Sequence, residues 1–163
     1  MGHSITALIV PGPIDTGAAA RWDLVPMPLY EDLTLFHITH FYTAYWQATH
    51  GVTEQIEWAP EMPLLFPREG VIRVIAADLT ARPDPSFAVV YTDYSAGAGG
   101  QWGGACLAGG AIRSVSTINA ALRMLGITTA PGSDEFDTIG LGHHRSTPEY
   151  LERYIDLCDE LNV

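Results

Sequence analysis

The chain has 163 residues, 47% of them apolar and only 17% charged, with a formal net charge of -11. That length fits one domain, and that apolar share can build a core without metals or disulfide staples. All eight basic residues are arginines and none cluster in a run, so the field repels phosphate backbones and anionic membrane surfaces; nucleic-acid and membrane partners are excluded as expectations, and a basic protein partner is attracted.

In chain order, Ile5–Val10 is an apolar run stopped by Pro11-Gly12-Pro13, which predicts a buried strand and a turn. A short helix is expected around Ala18–Trp22, and a second strand over Leu33–Ile38. Thr39 offers an N-cap and Gly51 a stop, so His40–His50 reads as a helix. Its expected buried stripe is Phe41, Ala44, Tyr45 and Ala48, with His40, Thr43, Gln47 and His50 facing out. Residues 52–66 read as irregular. After Pro67, the stripe Ile72, Ile75, Ala76 and Leu79 predicts a helix with Glu69, Arg73 and Thr80 on its polar side. The β-branched content of residues 71–75 pulls toward a strand instead.

Phe87–Tyr94 is the strongest strand pattern. A glycine-rich loop over Ser95–Gly100 is expected to follow it. Gln101–Leu107 and Ala111–Val115 continue the meander, with Gly109-Gly110 turning between them. Ser116 or Thr117 then starts a helix with the stripe Ile118, Ala121, Leu122 and Leu125, ended by Gly126. Residues 127–145 read as a long acidic loop. Ser146-Thr147-Pro148-Glu149 is a capping-box pattern opening a last helix over 147–161, which is expected to bury Leu151, Ile155, Cys158 and Leu161 against the sheet. The expected class is α+β: one domain over 1–163, an antiparallel meander over about 87–115, and three to four helices.

No catalytic signature is complete. Gly97-Ala98-Gly99-Gly100 has Trp102 where a dinucleotide fingerprint needs glycine, and a P-loop needs a lysine that this chain lacks. Cys106 and Cys158 form no Cys-x-x-Cys pair and are expected to be buried thiols in a reducing compartment. The opening residues show no charged segment followed by a long apolar one, and no apolar run approaches the ~18 residues of a membrane span. A cytoplasmic location is therefore expected, without cofactor.

Four histidines carry the best case for a metal. His37 and His40 bracket a strand-to-helix junction, and His143-His144 sit in a loop; with Asp93 they supply imidazole and carboxylate ligands suited to zinc or iron. Asp93, His143 and His144 are the candidate catalytic groups. Scattered structural histidines are the simpler expectation, so no metal is assigned. Asp93 also shares a strand face with Phe87, Val89 and Tyr91, and a buried carboxylate must be paired. Amides of the glycine loop, Arg113 or Arg145 would hold it.

Thr92-Asp93-Tyr94…Gly97…Gly99…Gln101, Ile118-Asn119…Ala121-Leu122…Leu125-Gly126 and Asp134-Glu135-Phe136-Asp137…Gly140-Leu141-Gly142…Arg145 together resemble a group of small uncharacterised bacterial proteins. The resemblance covers roughly the stretch 87–146. It implies no activity. It implies that the Asp93 loop and the 134–145 loop share one surface or one network, which makes Asp93, Tyr94, Gln101, Trp102 and Arg145 the candidate binding residues.

Two functions follow as expectations. One is a non-catalytic protein-binding domain with a basic partner, similar in general character to immunity proteins that neutralise basic toxins, with Trp22, Trp46, Trp58 and Trp102 as interface anchors or core residues. A homo-oligomer is compatible with it. The other is a metal-assisted hydrolase using His37, His40, His143, His144 and Asp93.

Overall fold

The computed structural model describes residues 2–96, 98–111, 113–115 and 117–163. The expectations placed on Gly97, Ile112 and Ser116 lie outside these residues. The described residues form one α+β unit around an antiparallel sheet of order β2-β3-β1-β4-β5-β6. The strands are β1 (His3–Pro11), β2 (Met27–Pro28), β3 (Leu33–His37), β4 (Phe87–Ser95), β5 (Ala98–Cys106) and β6 (Arg113–Val115). The helices are α1 (Thr16–Arg21), α2 (His40–Thr49), α3 (Val71–Thr80), α4 (Ile118–Met124), α5 (Glu135–Thr138) and α6 (Arg153–Leu161). Six α-helices thus stand where three to four were expected.

The central strands are apolar on both faces because both faces are covered. Leu8, Val10, Phe36, Phe87 and Val89 meet residues of α2, α3 and the α6 region in one core cluster. Ile5, Ala7, Ile9, Leu35 and Val90 meet α4 and the turn after α5 in a second cluster. This is why residues 5–10 read as an unbroken apolar run rather than an alternating one. Each fully buried Ile or Leu there contributes roughly 1.5–3 kcal/mol.

β3 pairs with β1 only from Ala7↔His37 to Pro11↔Leu33. The first residues of β1 are therefore left without a strand on that edge. The chain covers them from elsewhere: Ser4 N–H donates to Arg145 O at 2.9 Å, and Ser4 bridges Ser146 in parallel. On the other edge β1 pairs with β4 along its length, from His3↔Tyr94 to Ile9↔Ala88.

Ser95 and residues 98–100, expected in a wide loop, belong to strands. β4 and β5 stay paired out to Ser95↔Ala98. The glycines of β5 serve packing instead. A Cβ on Gly104 would lie 2.0 Å from the ring of Trp58, whose indole N–H donates to Pro67 O at 2.7 Å.

The caps at Thr39 and Thr117 follow the sequence. The expected capping box over residues 146–149 does not form among the described residues, since Pro148 precedes the turn with no side-chain cap bond. Two helix faces also differ from expectation. Thr39 Oγ1 accepts from Tyr42 N–H, and Thr117 Oγ1 accepts from Ala120 N–H. α3 buries Ile72, Ile75, Ala76 and Leu79 as expected, although it begins at Val71 and Pro67 precedes it. α2 instead buries Tyr42, Thr43 and Gln47. The polar pair is admitted because it is satisfied: Gln47 Nε2 donates to Glu54 O at 2.8 Å, and Gln47 Oε1 accepts from Val71 N–H at 2.9 Å. The last helix starts as a 3-10 turn over Glu149–Glu152 before α6. It packs on α2 rather than on the sheet, burying Leu151, Tyr154 and Cys158; Ile155 and Leu161 are each 43% exposed. The expected loop 127–145 contains α5 and a 3-10 turn over Leu141–His143.

Candidate functional site

Two cavities flank the segment 144–147 where it returns to the sheet edge. The first, of about 240 Å³, opens between the start of β1, the N-terminus of α2 and the residues around α6. Thr6, Thr39, Tyr91 and Thr147 line it, with His40 and Glu152 and the apolar Leu65 and Ile155. Leu65 is 51% exposed and its neighbour Leu64 is 87% exposed, an apolar pair that the irregular segment 52–66 holds toward solvent.

His40 is set at the first turn of α2, and its partner Glu69 lies just ahead of Gly70, the N-cap of α3. The His40 Nδ1 lies 3.1 Å from Glu69 Oε1, off the hydrogen-bonding direction of the ring, and the contact becomes an ion pair when the imidazole is protonated. The Glu69 carboxylate is buried and accepts at Oε2 from the Thr43 hydroxyl and the Arg68 amide, both at 2.8 Å. Glu69 chiefly raises the pKa of His40, against the opposing effect of burial. Burial pushes Glu69 up, but His40, Thr43 and a backbone amide outweigh it and hold the carboxyl below its ordinary value. Sequence reading placed Glu69 on a polar helix face and missed it. The signal it left was Thr43, a hydroxyl on a helix stripe with a buried neighbour to serve.

The second cavity, of about 320 Å³, is lined by His37, His143, His144 and Arg145, with Val25, Met27, Pro148 and Tyr150. Four of the residues singled out from sequence therefore meet here. The His37 and His144 rings lie 6.1 Å apart. Burial above all, then the neighbouring His144 and His3, lowers the His37 pKa to about 4. His144 is lowered by burial and by His143 and His3.

His3 ties this region to the sheet. Its Nδ1 is 2.7 Å from Thr92 Oγ1, which accepts from Ile5 N–H at 3.1 Å, and its Nε2 is 3.2 Å from Leu141 O. The consistent assignment is a neutral ring with the proton on Nε2: the Thr92 hydroxyl donates to Nδ1 and Nε2–H donates to Leu141. Burial, followed in size by the opposing bond to Leu141, leaves the His3 pKa lowered.

The other predicted site residues serve elsewhere. Asp93 is exposed. Along its strand face Phe87 and Val89 are buried and Tyr91 is half-buried, so burial has run out by Asp93. Its pairing with Gly100, and that of Tyr94 with Gly99, puts those glycines in the β4–β5 ladder rather than in a nest around a carboxylate. Gln101 Nε2 donates to Tyr94 Oη at 3.1 Å, and Gln101 Oε1 accepts from Ile118 N–H at 2.8 Å. Both residues thus brace the start of α4. Trp102 packs edge-on against Tyr91 at 5.4 Å. Trp22 and Trp58 are buried, while Trp46 and Trp102 pack partly buried against the same core. His40 and Asp93 do not join His37, His143 and His144, and among the described residues no three His, Cys, Asp or Glu side chains converge as metal ligands.

No helix among the described residues is long and apolar enough to cross a membrane. No family model, curated protein or solved structure matches this chain, so its chemistry is read from the geometry.

Proposed function

We propose that the chain is a protein-binding domain without catalysis of its own, and that its partner presents an apolar side chain flanked by basic groups. The observation that carries this reading is the 240 Å³ cavity with Leu65 and Ile155 exposed beside Glu152, on a chain of net charge -11. Exposed apolar side chains at a concave site favour a buried anchor, and the surrounding negative field steers a basic partner and rejects an acidic one. The general character is that of a small acidic protein that neutralises a basic one in the cytoplasm.

Calorimetry with a short helical peptide, leucines on one face and arginines on its flanks, tests the proposal. Binding at low salt with a Kd of about 10 µM or tighter is expected. It is expected to weaken as salt rises and to vanish with Ile155→Asp. Equal binding of the same peptide with glutamates in place of arginines, or no binding of either, overturns the reading.

The hydrolytic alternative has one observation in its favour: a buried carboxylate holds the His40 imidazole at a cavity wall, an arrangement that supports a general base. Turnover of p-nitrophenyl acetate that disappears in His40→Gln would favour it over the binding reading.

A further inference from the structure

The chain is acidic almost everywhere, with 19 Asp and Glu residues and no lysine. The 320 Å³ cavity is the opposite. None of its lining residues is acidic, and three consecutive residues, His143-His144-Arg145, meet His37 from the end of β3 there. His37 is only 5% exposed, and its Nδ1 has no hydrogen-bond partner. A buried, unpartnered ring nitrogen costs free energy, and the ring that carries it is one of the residues lining the cavity. Arg145 forms no ion pair among the described residues. Of the remaining walls, Val25, Met27, Pro148 and Tyr150 are apolar or aromatic, and Ser146 adds a hydroxyl-bearing residue.

We propose that this cavity binds a small organic anion, with its carboxylate or phosphate head between Arg145, His144 and His37 and its apolar body against Met27 and Tyr150. Arginine supplies a forked donor for the oxyanion, and imidazoles add donors that become charged as they protonate. The lowered pKa values of His37 and His144 agree with this geometry. The rings repel one another and are poorly hydrated, and an anion placed among them would relieve both effects. The charged and titratable groups facing the rings are His3, His143, Arg145 and Tyr150. Asp137 is the opposing carboxylate: it lines the neighbouring depression together with His143 and Arg145.

The site lies apart from the Leu65–Ile155 cavity, so this proposal and the protein-binding one can fail separately. The test follows the histidine ring resonances by NMR while phenyl phosphate, benzoate or inorganic phosphate is added to the whole protein. We expect phenyl phosphate or benzoate to shift the His37 and His144 resonances and to raise their pKa values. Binding should be at least about tenfold tighter near pH 5.5 than near pH 8. It should weaken about tenfold in Arg145→Gln and tighten in Asp137→Asn. Both altered residues are exposed, so the fold is kept. Inorganic phosphate should bind more weakly for lack of an apolar body. Unmoved His37 and His144 resonances, equal binding by Arg145→Gln, or inorganic phosphate binding as tightly as phenyl phosphate overturns the proposal.

Discussion

Glu69 holds a carboxylate with 8% of its side chain exposed between an imidazole and a hydroxyl, and the pair it makes with His40 has a defined pH window. His40 is raised above its ordinary 6.5, so its contribution to stability is complete below 6.5 and is lost as pH rises through the folded value. Glu69 is lowered below its ordinary 4.5, so its contribution is present above 4.5 and is lost as pH falls through the folded value. The pair therefore stabilises most between 4.5 and 6.5. His37 works in the opposite sense, withdrawing stability as pH falls from 6.5 toward about 4. Glu69→Gln should cost roughly 1–3 kcal/mol near pH 6. Melting curves of both proteins across pH check this, since His37 acts in each and cancels in the difference. The gap should narrow above 6.5; a gap of constant size from acid to alkaline pH would show that His40 and Glu69 are not coupled.

At the scale of elements, α6 shows how a helix face is chosen. Leu151, Ile155 and Cys158 form an acceptable apolar stripe, and so do Leu151, Tyr154 and Cys158. The second is buried because α2 presents Tyr42 and Tyr45, whose rings lie 5.0 and 5.3 Å from that of Tyr154, and because the Tyr154 hydroxyl donates to Asp23 at 2.5 Å. Ile155 is left to line the open cavity. Tyr154→Ala should therefore destabilise the fold by about 3–5 kcal/mol, whereas Ile155→Asp should change stability by no more than about 0.5 kcal/mol. Chemical denaturation of the two variants decides it. A large loss from Ile155→Asp would place that side chain in the core. The same reasoning covers α2, where Thr43 and Gln47 face inward only because Glu69, Glu54 and Val71 offer them partners.

For the whole molecule, the two thiols report on global opening. Cys106 and Cys158 are unpaired and buried, one in β5 and one in α6. Cys158 Sγ lies 3.1 Å from Phe41 O, and Cys106 Sγ lies 3.2 Å from Gly110 O. Burial, and then Asp159, raises the Cys158 pKa, which further slows its reaction. A thiol-disulfide reagent should label both in one slow phase whose rate follows the unfolding equilibrium as denaturant is added. A fast phase at either residue in native buffer would mean that its layer opens locally.

The sequence by itself determined the features that depend on near neighbours. The strand over residues 5–10, the strand from Phe87, the caps at Thr39 and Thr117 and the buried stripe of α3 are all set within a few residues of chain, by side-chain period and by local satisfaction of backbone amides. The glycine-rich stretch misled because glycine marks loops and crowded strands alike, and only Trp58, far away in sequence, shows which applies at Gly104. Tertiary structure decided the rest. Which face of α2 or α6 turns inward depends on partners that another helix supplies. The meeting of His37 with His143 and His144 depends on residues 144–147 returning to the uncovered edge of β1, held by bonds such as His3 to Leu141 across 138 positions. Side-chain period cannot encode contacts at that distance, because they exist only once the sheet edge and the loop that covers it have both formed.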